Sequence, residues 1–256
     1  MSNFLILFTS MFLATTGAVN WDYTEWNHTG LKRYDLHGRV KSVHQITYKA
    51  GGESGAVAKG AKIDSADLYL KFDVKGNIIE RGLNGAKTTY NYNPRGQVTD
   101  AKTYKGTALI QTIAFNYDTH GNLTDETSKD AGGPQIEKMS YKYDASKKII
   151  EVRKNTRAGD AWITYRYDSK GNATETDCYL FNSEDGRHTH KYDDKGNVTA
   201  TTRELQNGEN AKTVFKYLYD AKDNYTSKTV LNSSSQGGII PELKPVLLIE
   251  RAIEYY

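Results

Sequence analysis

An aromatic residue, an acid, two variable residues and Gly-Asn recur along this chain. The pattern reads Phe72-Asp73-Val74-Lys75-Gly76-Asn77, Tyr117-Asp118-Thr119-His120-Gly121-Asn122, Tyr167-Asp168-Ser169-Lys170-Gly171-Asn172 and Tyr192-Asp193-Asp194-Lys195-Gly196-Asn197. Weaker copies begin at Tyr34, Tyr92, Tyr143 and Tyr219. The second residue of each copy falls at 35, 73, 93, 118, 144, 168, 193 and 220, so the spacing after the first gap is 20 to 27 residues. Self-similarity at such a period marks a repeat architecture.

Six of the eight copies place a short polar side chain three residues before a glycine. Asp or Asn at the head of a type I turn accepts from backbone N–H groups further along. The glycine then takes the left-handed conformation that closes a bulged hairpin loop. Gly76, Gly96, Gly121, Gly171 and Gly196 are the expected turn residues. Lys147 in the fifth copy replaces the glycine and predicts a turn of different type there. The flanks are short alternating segments such as Tyr165-Arg166-Tyr167 and Ala173-Thr174-Glu175-Thr176, which read as strands. One repeat is strand, tight turn, strand, looser turn. The expected fold is all-β: an antiparallel meander of about eight repeated hairpins forming a twisted, elongated or partly closed sheet. Gly51 to Ala66, rich in small residues, reads as a loop. Val246 to Tyr256, an apolar stretch, reads as a strand covering the last edge.

Three spans follow: a signal peptide over 1–18, an N-terminal cap segment over 19–33, and a repeat domain over 34–256. Residues 1–18 carry no charge and hold an apolar run of signal length, ahead of small residues suited to cleavage before Val19. The expected location is secreted, periplasmic or cell-surface, with no membrane span in the mature form. The single cysteine, Cys178, cannot form an internal disulfide. The formal net charge is +3 and no basic cluster stands out, so nucleic acid is not an expected partner.

Catalytic sets are scarce. Gly55 to Ala61 imitates a phosphate loop but has Ala61 where lysine is required. His188 and His190 share a strand face without an evident third ligand, so no metal and no cofactor are expected. The constellation that stands out is a column. Four residues after the turn glycine or its stand-in comes an acid in five copies: Glu80, Asp100, Asp125, Glu151 and Glu175; Ser42, Ala200 and Ser227 fill the others. Strict alternation places Glu175 opposite Tyr165, and each acid on the face of the apolar residue two before it. The candidate binding residues are therefore Tyr117, Asp125, Tyr143, Glu151, Tyr165, Tyr167, Glu175 and Tyr192. Aromatic platforms interleaved with carboxylates suit sugars. The structural alternative is that neighbouring Lys, Arg and Tyr groups satisfy the acids.

The unit Tyr-x-Tyr-Asp-x-x-Gly-Asn-(Leu/Val)-Thr, best seen at Phe115–Thr124, Tyr165–Thr174 and His190–Thr199, resembles the YD repeat of the bacterial Rhs family. The resemblance covers about residues 34–229 and is similar to short secreted YD-repeat proteins. It implies a role in binding carbohydrate or a partner protein. The functional expectation is a non-enzymatic exported β-repeat protein binding polysaccharide or an envelope protein. The alternatives are a polysaccharide-active hydrolase and an accessory or remnant of a polymorphic toxin system.

Overall fold

A computed structural model describes residues 31, 34–53, 55–180, 183–204, 210–234 and 242–256. The expected signal peptide, and the cap segment apart from Leu31, lie outside the described residues. The strands are β1 (Val40–Glu53), β2 (Ala56–Lys62), β3 (Leu68–Phe72), β4 (Ile78–Leu83), β5 (Ala86–Tyr92), β6 (Val98–Lys105), β7 (Ala108–Tyr117), β8 (Leu123–Asp130) and β9 (Gln135–Tyr143). They continue as β10 (Ile149–Thr156), β11 (Gly159–Tyr167), β12 (Ala173–Leu180), β13 (Ser183–Tyr192), β14 (Val198–Glu204), β15 (Asn210–Tyr219), β16 (Tyr225–Ser234) and β17 (Lys244–Tyr255).

From β3 onward every strand pairs antiparallel with its successor, as a meander requires. The expected open or partly closed sheet is corrected at its ends. β17 pairs with both β16 and β1, and β1 pairs with β3 through Ser42–Gln45, so the sheet closes into a sixteen-strand barrel. β2 shares one place in the wall with β3. Closure abolishes the two edges that an open meander would expose. The segment Gly51 to Ala66 is also not a plain loop. Much of it is the β1–β2 hairpin and a short 3-10 turn at Asp64–Ala66, with every residue of β2 exposed.

The seam repeats the geometry of a hairpin whose turn is cut. In the intact hairpin of β11 and β12, Tyr167 faces Ala173 and Arg166 faces Glu175. At the seam, Tyr255 faces Val40 and Glu254 faces Ser42. Gly38, with φ of 79°, stands where the turn glycine belongs. The first repeat copy is thus half of an eighth hairpin whose other half is the end of the chain. Asn224 ties the two halves: its amide oxygen accepts from the His37 N–H at 2.6 Å, and its NH₂ donates to the Tyr255 hydroxyl at 2.7 Å.

The tight turns share one hydrogen-bond set. At Asp168, the Gly171 N–H donates to the Asp168 carbonyl at 3.1 Å, and the Lys170 and Asn172 N–H groups both donate to the carboxylate at 2.9 Å. Lys147 does not change the turn type. It adopts the left-handed φ of 64° and closes on Asp144 as the glycines do on theirs. The carboxylate clamp over Ser146 and Lys148 holds the turn, so a non-glycine residue is tolerated at some backbone strain.

Along β6 to β12 the inward side chains are buried, and a core of apolar ones, with Ala101, Leu123, Ile149, Val152 and Ile163 at most 3% exposed, is interleaved with buried polar groups such as Thr103, Gln111, Glu126, Lys154 and Thr176. A wide circular barrel of this strand number would enclose a water channel. Here the inward faces are packed. A second cluster, with Val40, Val43, Leu70 and Phe72, lies beside the seam. Leu31, Tyr34 and Leu36 pack against it at the end carrying the tight turns, and an Arg251 guanidinium donates to the Tyr34 carbonyl at 3.2 Å.

Candidate functional site

Just past each tight turn the second strand carries a bulge. Thr174 and Glu175 together oppose Arg166, and the register shifts by one residue between Arg166 and Tyr167. The same shift occurs in the hairpins closed at Asp73, Asn93, Asp118, Asp144, Asp193 and Asp220. A one-residue slip moves every later side chain to the opposite face. Strict alternation from the turn therefore misplaces the acids. Glu175 does not face Tyr165, whose partner is Thr176. Asp125 lies on the face opposite Leu123. Tyrosines point into the barrel and column acids point out, and a single surface bearing both does not form.

The inward tyrosines join neighbouring hairpins. The hydroxyl of Tyr143 donates to the Leu123 carbonyl at 2.9 Å, that of Tyr167 to Ile149 at 2.6 Å, and that of Tyr192 to Ala173 at 2.7 Å. Tyr92 reaches Ile78 and Tyr217 reaches Val198 in the same way, and Tyr117 bonds the Val98 backbone. Each accepting residue opens the second strand of the preceding hairpin, beside the register shift that interrupts the ladder. Burial pushes the Tyr117 hydroxyl up to about 12. Tyr165 is buried and stacks on Tyr167, with centroids 6.4 Å apart.

The outward acids meet cations and amides. Lys142 lies 2.9 Å from Glu151, and Arg153 lies 2.6 Å from it. Asn116 donates to Asp125 at 2.8 Å, as Asn91 does to Asp100. Arg166 bonds Glu175, and Arg187 bridges Glu175 at 3.3 Å and Asp177 at 3.0 Å. Burial raises the carboxyl of Glu151, but its Arg153 and Lys142 bonds outweigh this and hold it below the usual range. Beside this network Trp162 stacks on Tyr179 at 3.8 Å.

His188 and His190 also point inward. His190 sits between the Thr176 and Thr201 hydroxyls at 3.0 and 3.1 Å, and burial, reinforced by His188, lowers it to about 4. A neutral imidazole held by two hydroxyls serves packing. Among the described residues no group of three or more His, Cys, Asp and Glu side chains could hold a metal.

One outer region departs from the column. Thr189 and Lys191 of β13, Ala200 and Thr202 of β14, and Asn210 and Lys212 of β15 line a cleft of about 220 Å³. Neither lysine is among the residues that the sequence pattern singles out. The signal for them is Ala200, standing where five copies carry an acid.

No family model matches the chain. It is 29% identical over 151 residues to "tRNA nuclease WapA" of Bacillus subtilis (strain 168), and 28% identical over 145 residues to "tRNA3(Ser)-specific nuclease WapA" of Bacillus spizizenii. A third relative, "tRNA(Glu)-specific nuclease WapA" of Bacillus subtilis subsp. natto, is 27% identical over 151 residues. Each match takes in 56% of this chain but 6% of the relative's own length. The expectations of a chain that is not an enzyme, and of one with no nucleic-acid partner, are overturned here, because the relatives it resembles are named for cutting tRNA. Those names describe proteins many times longer than the matched stretch.

Among solved structures, a porin-like protein from Bacteroides uniformis ATCC 8492 superposes with a TM-score of 0.56 at 12% identity, over 84% of this chain and 96% of that one. The likeness is one of fold. A TcdB2-TccC3-Cdc42 structure overlays at a TM-score of 0.34, covering 83% of this chain and 12% of that one. The wall chemistry here is not that of a lipid-facing barrel. Charged columns run along the outside, where Lys or Arg at the bilayer midplane would cost about 2–4 kcal/mol each. Aliphatic and aromatic side chains form the core of the inside, with buried polar groups among them.

Proposed function

We propose that the chain is an exported YD-repeat barrel working in a tRNA-directed nuclease system, where it engages the RNA. The similarity over 145 to 151 residues to three proteins named as tRNA nucleases carries this reading. The water-facing outer wall supports it, because a packed interior leaves the outside as the surface open to a macromolecule. The charge-free apolar start supports export.

The test uses the purified chain and a total tRNA pool. Cleavage would place the activity in the barrel itself. Retention of intact tRNA at physiological salt would make it a recognition part. If the chain neither cleaves nor retains tRNA, the reading is overturned. N-terminal sequencing of protein from the producing cell tests export: a start near Val19 is expected, and retained Met1 on a cytosolic form would remove it.

A further inference from the structure

The outer wall follows a charge rule. The residue just before the turn tyrosine faces the column acid across the bulged pair: Asn91 faces Asp100, Asn116 faces Asp125, Lys142 faces Glu151 and Arg166 faces Glu175. The next hairpin keeps the cation and loses the acid, since Lys191 faces Ala200. One strand further, Lys212 faces Thr202. No described carboxylate lies within ion-pair distance of either ammonium, and none lines the cleft between them.

We propose that this cleft binds a backbone phosphate of RNA, with Lys191 and Lys212 supplying charge from opposite walls and Thr189 and Thr202 supplying neutral donors. The inference rests on the tRNA reading above for the identity of the ligand. The geometry suits an anion. Small side chains on β14 leave room between two lysines whose strands are each one place away. Lysine acts as a point charge on phosphate, and hydroxyls and amides complete its coordination. A cation without its repeat partner, and with no described carboxylate beside it, is left to a ligand.

The discriminating variant restores the repeat. Ala200→Glu places at the seventh copy the acid that five others carry, and it should pair with Lys191 as Glu151 pairs with Lys142. Binding of a total tRNA pool to the full chain should fall at least tenfold. Lys191→Gln with Lys212→Gln should do the same and flatten the salt dependence of binding by about one log unit per decade of salt. Lys142→Gln, at a paired position, should leave binding within twofold. Melting curves matching the wild type show that all variants are folded. If the wild type binds tRNA and both cleft variants bind equally well, the cleft is overturned and the tRNA reading stands. If the wild type binds no tRNA but takes up inorganic pyrophosphate in a Lys191-dependent way, an anion cleft stands and RNA as its ligand falls. Binding of neither overturns both.

Discussion

On β11 and β12, Ala161, Ile163, Tyr165, Thr176 and Cys178 point inward, and Trp162, Thr164, Arg166, Glu175 and Asp177 point outward. The inward set is buried and packs against the next hairpins. The outward set is half-exposed, and its acids are held by arginines on flanking strands. The inner face repeats one device around much of the barrel: a tyrosine hydroxyl on a backbone carbonyl. The outer face varies, with Asn, Lys or Arg opposite Asp, Glu or nothing. A buried carbonyl left without a donor is costly, whereas a surface charge can be satisfied by water. Change costs less outside than inside, and a ligand site can arise on the outer wall by losing a single acid.

The register beyond the bulge keeps the two faces apart, and shifting it by one residue should have the largest effect. Inserting one alanine between Thr174 and Glu175, with the bulge kept, would shift β12 by one residue, turning Glu175 and Asp177 inward and Thr176 and Cys178 outward. Two carboxylates would then be buried without their arginines. Loss of the cooperative thermal transition is expected. A folded variant with wild-type melting would show that the register beyond the bulge does not set the faces.

Protonation should separate the faces next. His190 is lowered from an ordinary value near 6.5 to about 4, chiefly by burial. The unfolded chain therefore binds a proton that the folded barrel refuses. This contribution is fully present above pH 6.5, declines as pH falls through that value, and levels off below about 4. The span amounts to on the order of 3 kcal/mol. Denaturant midpoints of wild type and His190→Gln between pH 7 and 4 measure it. A variant with the wild-type slope would assign the pH dependence elsewhere. Asp168 in the turn acts in a lower window. Bonds from Asn172 hold Asp168 below its ordinary value, so its contribution persists below pH 4 and is lost as pH falls through the lowered value.

Much of the turn end is legible in the sequence because its code is local. Asp168, Gly171 and Asn172 bond one another within five residues, and the same letters recur in each strong copy. The closing strand is legible as an apolar run at the chain end. Closure itself is not, because it depends on the match of Ser42 with Glu254, 212 residues apart. The face of the acids is hidden by one residue. Thr99, Thr124, Thr174, Thr199 and Thr226 each donate a hydroxyl to a carbonyl across the bulge, on Asn91, Asn116, Arg166, Lys191 and Leu218. A threonine recurring at the point where alternation breaks is the signal that could have placed Glu175 correctly.

On the inner face, Tyr167→Phe removes the hydroxyl bond to Ile149 and keeps the ring. The Ile149 carbonyl stays buried without that donor, so the barrel should lose about 1 kcal/mol. Urea midpoints at constant slope measure the change. No change would mean that packing alone carries the tyrosine.

The outer counterpart should be smaller still. Glu175→Gln keeps shape and removes the charge from a cluster in which Arg166 and Arg187 are about half-exposed. Exposed ion pairs contribute about 0–1 kcal/mol, because water competes for both partners and long side chains lose freedom on pairing. Asp177 remains to hold both guanidiniums, at 3.2 Å from Arg166 and 3.0 Å from Arg187, which reduces the loss further. The expected destabilisation is about 0.5 kcal/mol or less, and it should shrink in 1 M salt, where charges are screened within about 3 Å. A double-mutant cycle with Arg166→Gln isolates the pair. A coupling larger than the loss in Tyr167→Phe, and insensitive to salt, would mean that the outer network stiffens the wall as much as the tyrosines do. The acids would then be retained for the fold, and their loss at Ala200 would itself be a destabilising change that only a bound ligand could offset.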